Sequence, residues 1–263
     1  MKFLTTLFFL FAVFDGFGQS KSVKVQLLST KKITADTYVG KDTFGNHYTI
    51  KDQAFRKETA TSEVNYKNIA LGNIESIDLQ NPLQIVLFYK RMNAVVLLDN
   101  QLNETIKINF SETNPELFPV SVRLSSQNKL WLYDQNSQKL GLYDYLKNHF
   151  QPITVNLESP ITQCRSDYNY FYWTNSQNQL LASNIYGKIN LLGTLPEFDQ
   201  FELLTSNEIL LKKGNILSLY DLTTKTSQIV PLPEKSIQSF CYKEQILAIF
   251  TGDEIRNYKI ILP

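Results

Sequence analysis

The residues best suited to catalysis are few and far apart in this sequence. The 263 residues include only two histidines, His47 and His149, and neither has a carboxylate or a cysteine at the spacing of zinc ligands. We therefore expect both to be solvated residues near turns. The chain has no G-x-S-x-G elbow, no P-loop and no dinucleotide-binding glycine pattern. These features argue against nucleophile-base catalysis and predict no cofactor and no metal site.

The two cysteines, Cys164 and Cys241, lie in the strand-like runs ITQCRSDY and QSFCYKEQ. Two cysteines exclude a disulfide framework, although a single bridge remains possible in an exported protein. Because a small buried thiol is the commoner fate of such residues, we predict two free and inert cysteines.

Aspartate and asparagine recur where strand-like hairpins end, at Asp52, Asp99, Asp144, Asn184, Asp221 and Asn257. Turn chemistry explains such positions, since these side chains accept hydrogen bonds from nearby backbone amides. The alternative is a ring of carboxylates that binds a cation or a sugar at one mouth of a channel. We favour the architectural role because the positions repeat.

The hairpins themselves recur as a strand, a polar turn and a second strand, over residues 84–100, 129–145, 168–184, 208–222 and 245–260. A short strand candidate precedes each hairpin and a fourth follows, such as residues 152–157. Successive hairpin ends are spaced by about 36 to 47 residues, which is typical of propeller blades with four strands each. The sequence therefore predicts an all-β, six-bladed β-propeller of short four-stranded blades.

Two-sided burial supports this fold. In NPLQIVLFYKRMNAVVLLDNQL, residues 81–102, both strand-like runs are apolar at every position. The middle strands of a propeller blade lie between two neighbouring blades, so both of their faces are buried. A β-sandwich, the competing fold, would leave each strand one face in solvent.

The aromatic run at residues 168–173, in the fourth period, also predicts a strand that is buried on both faces. Tyr168, Tyr170 and Tyr172 should point to one face of their strand, and Phe171 and Trp173 to the other. We expect both sets to be buried between blades.

The N-terminal residues 1–18 are typical of a secretory signal peptide. Lys2 precedes an apolar core of about a dozen residues, and small residues precede Gln19, which we expect to begin the mature chain. A membrane anchor, the alternative, would need about 20 apolar residues. We therefore predict a periplasmic protein without direct membrane insertion, built as a single propeller domain over residues 19–263. Ser22–Leu28 is strand-like and should complete the last blade and close the ring.

The charge balance excludes one class of partner. Lys and Arg number 26 against 25 Asp and Glu, for a formal net charge of +1. No basic excess is present to attract a polyanion, so we do not expect nucleic-acid binding.

One hairpin tip combines charge with an apolar side chain. Lys90, Arg91, Met92 and Asn93 join the two apolar strands, a mixture suited to a protein contact. We take these four residues as the candidate partner-binding site, against the alternative of an ordinary solvated turn.

The segment Gly72–Phe110, with the export signal and the six short periods, resembles the periplasmic propellers that serve as the plug subunit of the bacterial type 9 secretion translocon. The resemblance implies a non-catalytic module that seals the periplasmic opening of a large outer-membrane translocon barrel. It further implies a monomeric subunit within a larger complex. The alternatives are a carbohydrate- or peptidoglycan-binding propeller and a polysaccharide lyase or hydrolase.

Overall fold

The computed structural model describes residues 22–262, and these form six four-stranded antiparallel sheets arranged as a six-bladed β-propeller. The predicted signal peptide and the predicted start at Gln19 lie outside the described residues. None of the helices among the described residues is long and apolar enough to cross a membrane.

The blades follow one another along the chain, each with its strands in sequence order except the last, which the N-terminal strand completes. Blades 1 to 3 consist of β2 (Thr37–Lys41), β3 (His47–Lys51), β4 (Ala54–Glu58), β5 (Glu63–Tyr66), β6 (Ser76–Asp78), β7 (Ile85–Tyr89), β8 (Ala94–Leu98), β9 (Glu104–Asn109), β10 (Pro119–Leu124), β11 (Lys129–Asp134), β12 (Lys139–Asp144) and β13 (His149–Pro152). Blades 4 to 6 consist of β14 (Gln163–Ser166), β15 (Tyr170–Thr174), β16 (Gln179–Asn184), β17 (Ile189–Thr194), β18 (Gln200–Leu203), β19 (Glu208–Lys213), β20 (Ile216–Asp221), β21 (Thr226–Ile229), β22 (Ser239–Lys243), β23 (Ile246–Phe250) and β24 (Glu254–Ile261), with β1 (Lys24–Lys32) as the last strand of blade 6.

The ring closes where β1 pairs antiparallel with β24, from Lys24 opposite Ile261 to Lys32 opposite Glu254. The predicted closure by an N-terminal strand is confirmed, and the strand extends four residues beyond the expected end at Leu28. The first strands of neighbouring blades contact one another, as β10 does β14 and β18 does β22, so the first strands line the central channel. In the closed ring each blade has two edge strands, the first at the channel and the fourth at the outer rim.

Blade 2 shows why its hairpin is apolar throughout. Every residue of β7 and β8 is buried. Ile85, Leu87 and Tyr89 pack in one cluster with residues of blade 1. Val86 and Phe88 pack in another cluster with residues of blade 3. Side chains of this strand do alternate in direction, but both directions lead to a dry interface with a neighbouring blade. Burial of each large apolar side chain stabilises the fold by about 1.5–3 kcal/mol.

Strand direction sorts the loops into two ends of the ring. Successive strands are antiparallel. The turn between the second and third strands of each blade therefore lies at the same end as the connection to the next blade, and we call this the connection end. The turns between first and second strands lie at the opposite end. Lys90–Met92 is a 3-10 turn at the connection end, and a short helix, α1 (Phe110–Thr113), follows blade 2 there.

Two strand-end predictions are wrong. Asp52 lies in the turn between the second and third strands of blade 1, where Asp52 and Gln53 both have positive φ, at 51° and 64°. This is the backbone of a tight hairpin turn that usually carries glycine, so the sequence did not mark it. Asn257 lies inside β24, buried and opposite Ala248, because β24 continues to pair with the long closing strand.

The fourth strand of blade 3 was also misplaced. It spans His149–Pro152, whereas residues 152–157 were expected to form it. Pro152 has no amide hydrogen with which to extend the ladder. The next two amides, of Ile153 and Thr154, both donate to the Leu140 carbonyl, which breaks the regular register.

Candidate interaction surface

The recurrent polar residues at the ends of third strands serve their own turns. Asp99 Oδ1 accepts from the amides of Gln101 and Asn103, each at 2.8 Å. The same pattern of two backbone amides on one side-chain oxygen repeats at Asp144, Asn184 and Asp221. Hydrogen bonds from Asn103, its side chain first, lower the pKa of Asp99. Turn architecture therefore accounts for these residues, as the sequence predicted.

His47 differs from expectation, since it lies in β3 and is buried rather than solvated. Its Nδ1 lies 3.2 Å from the Tyr38 hydroxyl. Burial, with smaller contributions from the charges of Lys31 and Lys41, lowers the pKa of His47 to about 4. The imidazole is therefore neutral at physiological pH and has a structural partner. His149 begins β13 and is exposed.

Both cysteines are free, as predicted. Cys164 Sγ lies 2.9 Å from Ser121 Oγ on the neighbouring first strand. Cys241 Sγ lies 4.0 Å from the Tyr38 hydroxyl, and burial raises the pKa of its thiol to about 11. A thiol with a raised pKa carries little thiolate, which is the reactive form. Among residues 22–262, no group of three or more His, Cys, Asp and Glu side chains could hold a metal ion.

Charged side chains of the first strands, which surround the central channel, bond from blade to blade. Arg165 pairs with Glu202 through two guanidinium nitrogens, each 2.8 Å from Oε1. Arg123 Nη1 donates to the Ile77 carbonyl at 3.0 Å. These bonds join blade 4 to blade 5 and blade 3 to blade 2, so polar groups at the channel act as clamps between blades.

The loop after β6 crosses one end of this channel. The Leu79 carbonyl accepts from Lys243 Nζ of blade 6 at 3.2 Å. In the amide orientation that satisfies both neighbours, Gln80 donates to the Ser166 carbonyl at 3.1 Å and accepts from the Tyr168 amide at 2.9 Å, both in blade 4. A blade 2 segment thus contacts blades two positions away on each side, which obstructs the channel at the end opposite the connection end.

The candidate tip projects from the connection end. The side chains of Lys90 and Arg91 are exposed, and that of Met92 is 48% exposed. Asn93 instead anchors the turn: it adopts a left-handed conformation, its amide donates to the Lys90 carbonyl at 3.1 Å, and its Nδ2 donates to the Leu117 carbonyl at 2.9 Å. The tip therefore offers three side chains to a partner, and Asn93 holds them in position.

Phe118, which sequence reasoning missed, lies beside the tip. It is 51% exposed and lines with the tip a shallow depression of about 430 Å³. The Phe118 amide donates to Asp134 Oδ1 at 2.8 Å, so its backbone is fixed. No salt bridge among the described residues involves Lys90 or Arg91. We call Lys90, Arg91, Met92 and Phe118 the tip surface; it is basic and apolar at once.

The aromatic run of blade 4 is buried on one face only. Phe171 and Trp173 are 0% and 2% exposed, as expected. Tyr168 and Tyr170 are each 41% exposed, and Tyr172 is half-buried, so the prediction that this face is dry is wrong. These residues lie at or near the turn that opens β15, where the neighbouring blade no longer covers the strand.

Comparison with known proteins establishes the fold and nothing finer. No protein-family model matches the chain, and no curated protein sequence matches it. A virginiamycin B lyase from Staphylococcus aureus superposes with a TM-score of 0.60 at 10% identity, covering 91% of this chain and 100% of that chain. A catalytically inactive histidine-to-alanine variant of that lyase, with quinupristin, has a TM-score of 0.57 at 10% identity, covering 91% and 100%.

Other similar structures include BamB from Moraxella catarrhalis, with a TM-score of 0.50 at 7% identity, covering 89% of this chain and 99% of that chain. The β-propeller domain of Cps50 (Swd1) from Myceliophteria thermophila has a TM-score of 0.59 at 8% identity, covering 89% and 99%. The β-propeller fold is therefore common to this chain and proteins that differ widely in sequence.

Proposed function

We propose that the protein is a non-catalytic binding module that seals the periplasmic opening of a large outer-membrane protein-export barrel, as the plug of a type 9 secretion translocon. The tip surface carries the proposal. It presents two cations without a salt-bridge partner among the described residues next to two exposed apolar side chains, a composition suited to an interface. The resemblance of Gly72–Phe110 to the plug family supplies the partner.

The obstructed channel supports an occluding role. A propeller placed over a pore would not seal it if its own channel were open to solvent. Here the segment Leu79–Gln80 bonds to blades on both sides, and the Arg165–Glu202 pair joins two neighbouring first strands. This arrangement supports a rigid disc that blocks passage.

Affinity purification from the native organism tests the proposal. The wild-type protein should co-purify with an outer-membrane barrel, and Arg91→Glu with Met92→Asp should lose that partner while folding normally. The matched control is Lys225→Glu with Ile229→Asp, which makes the same kinds of change at exposed residues of blade 5. Deletion of the gene should make the outer membrane leaky to large molecules. Normal permeability together with no co-purifying barrel would reject the plug function.

A carbohydrate- or peptidoglycan-binding propeller is the second candidate. Tyr168 and Tyr170 are each 41% exposed and Tyr186 is 84% exposed, all in blade 4. Exposed aromatic rings can stack on sugar faces. Binding of peptidoglycan fragments that is lost in Tyr170→Ala would favour this function, and turnover of an envelope polymer by the pure protein would favour a lyase or hydrolase instead.

A further inference from the structure

A groove at the connection end lies between blades 3 and 4, apart from the tip surface. Its volume is about 470 Å³, within the range of pockets that hold a ligand. Its floor is apolar and consists of Leu157, Trp173, Leu181 and Ile189. Val155, which is 77% exposed, forms part of one wall.

The groove is held open by fixed contacts. The Leu157 amide donates to the Gln138 carbonyl at 2.8 Å, which holds the connecting segment against blade 3. Trp173 packs on Phe171, with ring centroids 6.1 Å apart. Gly187 approaches Ile153 so closely that a Cβ there would overlap the Ile153 carbonyl. Both walls are therefore positioned before any ligand arrives, which reduces the entropy lost on binding.

Related grooves occur at the same end of blades 3 and 6. Each lies between the connection into its blade and the turn between second and third strands, and the blade 3 groove also reaches the fourth strand. The blade 6 groove is lined by several charged side chains, among them Glu234, Lys235 and Arg256. The blade 4 groove has one charged side chain, Glu158, above its apolar floor. The blade 4 groove is thus less charged than the groove at the same position of blade 6.

The polar rim supplies hydrogen-bond donors and one negative charge. The side-chain oxygens of Gln177 and Gln179 accept from Ser176 and Asn175, at 3.2 and 2.8 Å, which leaves their Nε2 groups to donate. Glu158 is exposed and takes part in no salt bridge within residues 22–262. Amide donors suit backbone carbonyls, and an unpaired carboxylate suits a cation.

We propose that this groove binds an extended peptide segment that inserts an aromatic or long aliphatic side chain onto the partly exposed Leu181 and Ile189 and places a basic side chain beside Glu158. The backbone carbonyls of the segment accept from Gln177 and Gln179. This second contact is independent of the seal proposed above, since it needs only a partner with an exposed basic and apolar segment.

The experiment uses the folded protein and two capped tetrapeptides, acetyl-Gly-Phe-Lys-Gly-amide and acetyl-Gly-Phe-Glu-Gly-amide, in ¹⁵N NMR titrations at millimolar concentrations. The lysine peptide should produce saturable shifts at the Gln177 and Gln179 amides and the Trp173 indole, and the glutamate peptide weaker ones. Val155→Lys should weaken binding of the lysine peptide by about tenfold. Ile229→Lys, at an equally exposed aliphatic residue on blade 5, should not.

Charge reversal tests the assigned occupant most directly. Glu158→Lys should reverse the preference in favour of the glutamate peptide, whereas Glu116→Lys in the related groove of blade 3 should leave it unchanged. Absence of saturable shifts in the groove would overturn the proposal, as would equal effects of Val155→Lys and Ile229→Lys. Binding that ignores the charge at residue 158, or equal shifts with chitooligosaccharides, would overturn the assignment of a basic peptide.

Discussion

The interface between blades 1 and 2 and the interface between blades 6 and 1 are held together by different forces. In the first, side chains of β7 and β8 such as Leu87 and Val96 pack against Tyr48 and Phe55, all without measurable exposure. Tyr48 and Phe55 stack with ring centroids 5.6 Å apart. Its core depends on apolar burial, and polar contacts join its edge, where Lys57 Nζ donates to the Asn100 carbonyl at 2.7 Å and the Tyr66 hydroxyl donates to Glu104 at 2.8 Å.

The interface that closes the ring is more polar. Its apolar cluster is small and includes Tyr38 and Phe250. Beside it lie the buried His47, bonded to Tyr38, and a salt bridge from Lys31 of β1 to Glu58 of blade 1 at 2.7 Å. We therefore expect pH and salt to act on the closing interface through His47 and the Lys31–Glu58 pair, while the apolar core between blades 1 and 2 should respond mainly to changes in packing.

Leu87→Ala should cause the largest loss. It removes a fully buried side chain from a close-packed interface, and we expect the free energy of unfolding to fall by about 2–5 kcal/mol. Chemical denaturation at pH 8 and pH 5 should give the same difference. Leu191→Ala, at a leucine that is 58% exposed, is the control and should change stability little. If the loss of unfolding free energy in Leu87→Ala depended strongly on pH, the proposed difference between the two interfaces would be wrong.

Acid should weaken the closing interface next most strongly. Burial holds the pKa of His47 at about 4 in the folded protein, against an ordinary value of 6.5. The unfolded chain therefore takes up a proton as pH falls below 6.5, and the folded protein does so only near pH 4. The free energy of unfolding should therefore have its full value above pH 6.5 and should fall by up to roughly 3 kcal/mol as the pH is lowered to 4.

His47→Gln isolates this effect, since glutamine can bond to Tyr38 but cannot be protonated. Denaturation curves measured from pH 7 to pH 4 should be flatter for the variant than for the wild type. Equal slopes for the two proteins would show that other groups cause the acid sensitivity.

The salt bridge should contribute least. Lys31 and Glu58 are about one third exposed, so a double-mutant cycle with Lys31→Met and Glu58→Gln should give a coupling of about 0.2–1 kcal/mol. The coupling should shrink in high salt, because exposed charges are screened. A larger coupling that salt leaves unchanged would mean that the closing interface is drier than its side-chain exposure indicates.

The fold was predictable because the blade is a repeated unit whose two-sided burial leaves a mark on the sequence. Residues 85–98 are apolar on both faces, and only stacked sheets satisfy such a hairpin. The strand ends that the sequence predicted wrongly are those where backbone geometry or a distant pairing strand, rather than the local residue pattern, decides the structure. Asp52 occupies a turn that lacks the usual glycine, and Asn257 continues a strand because a partner more than 200 residues away in sequence pairs with it.

The candidate site was predictable only in part. Lys90, Arg91 and Met92 stand out because a polar turn between apolar strands must be exposed, and their exposure follows. Phe118 and the blade 4 groove do not stand out, because an aromatic or aliphatic residue near a proline resembles any core residue in sequence. Only the arrangement of neighbouring blades decides whether Phe118 or Trp173 is covered. Sequence thus indicates exposed charge more readily than exposed apolar surface.

The pairing of β1 with β24 also sets an order of events during synthesis. Lys24 reaches its partner Ile261 only after nearly the whole chain has been made, so the last blade stays incomplete while the other five can form from local hairpins. Contacts between residues so distant in sequence form slowly. Until then β1 and the blade 1 side of the closing interface expose edge and apolar surface, the state in which β-rich chains aggregate. An emerging chain is therefore most vulnerable just before its final strand is released.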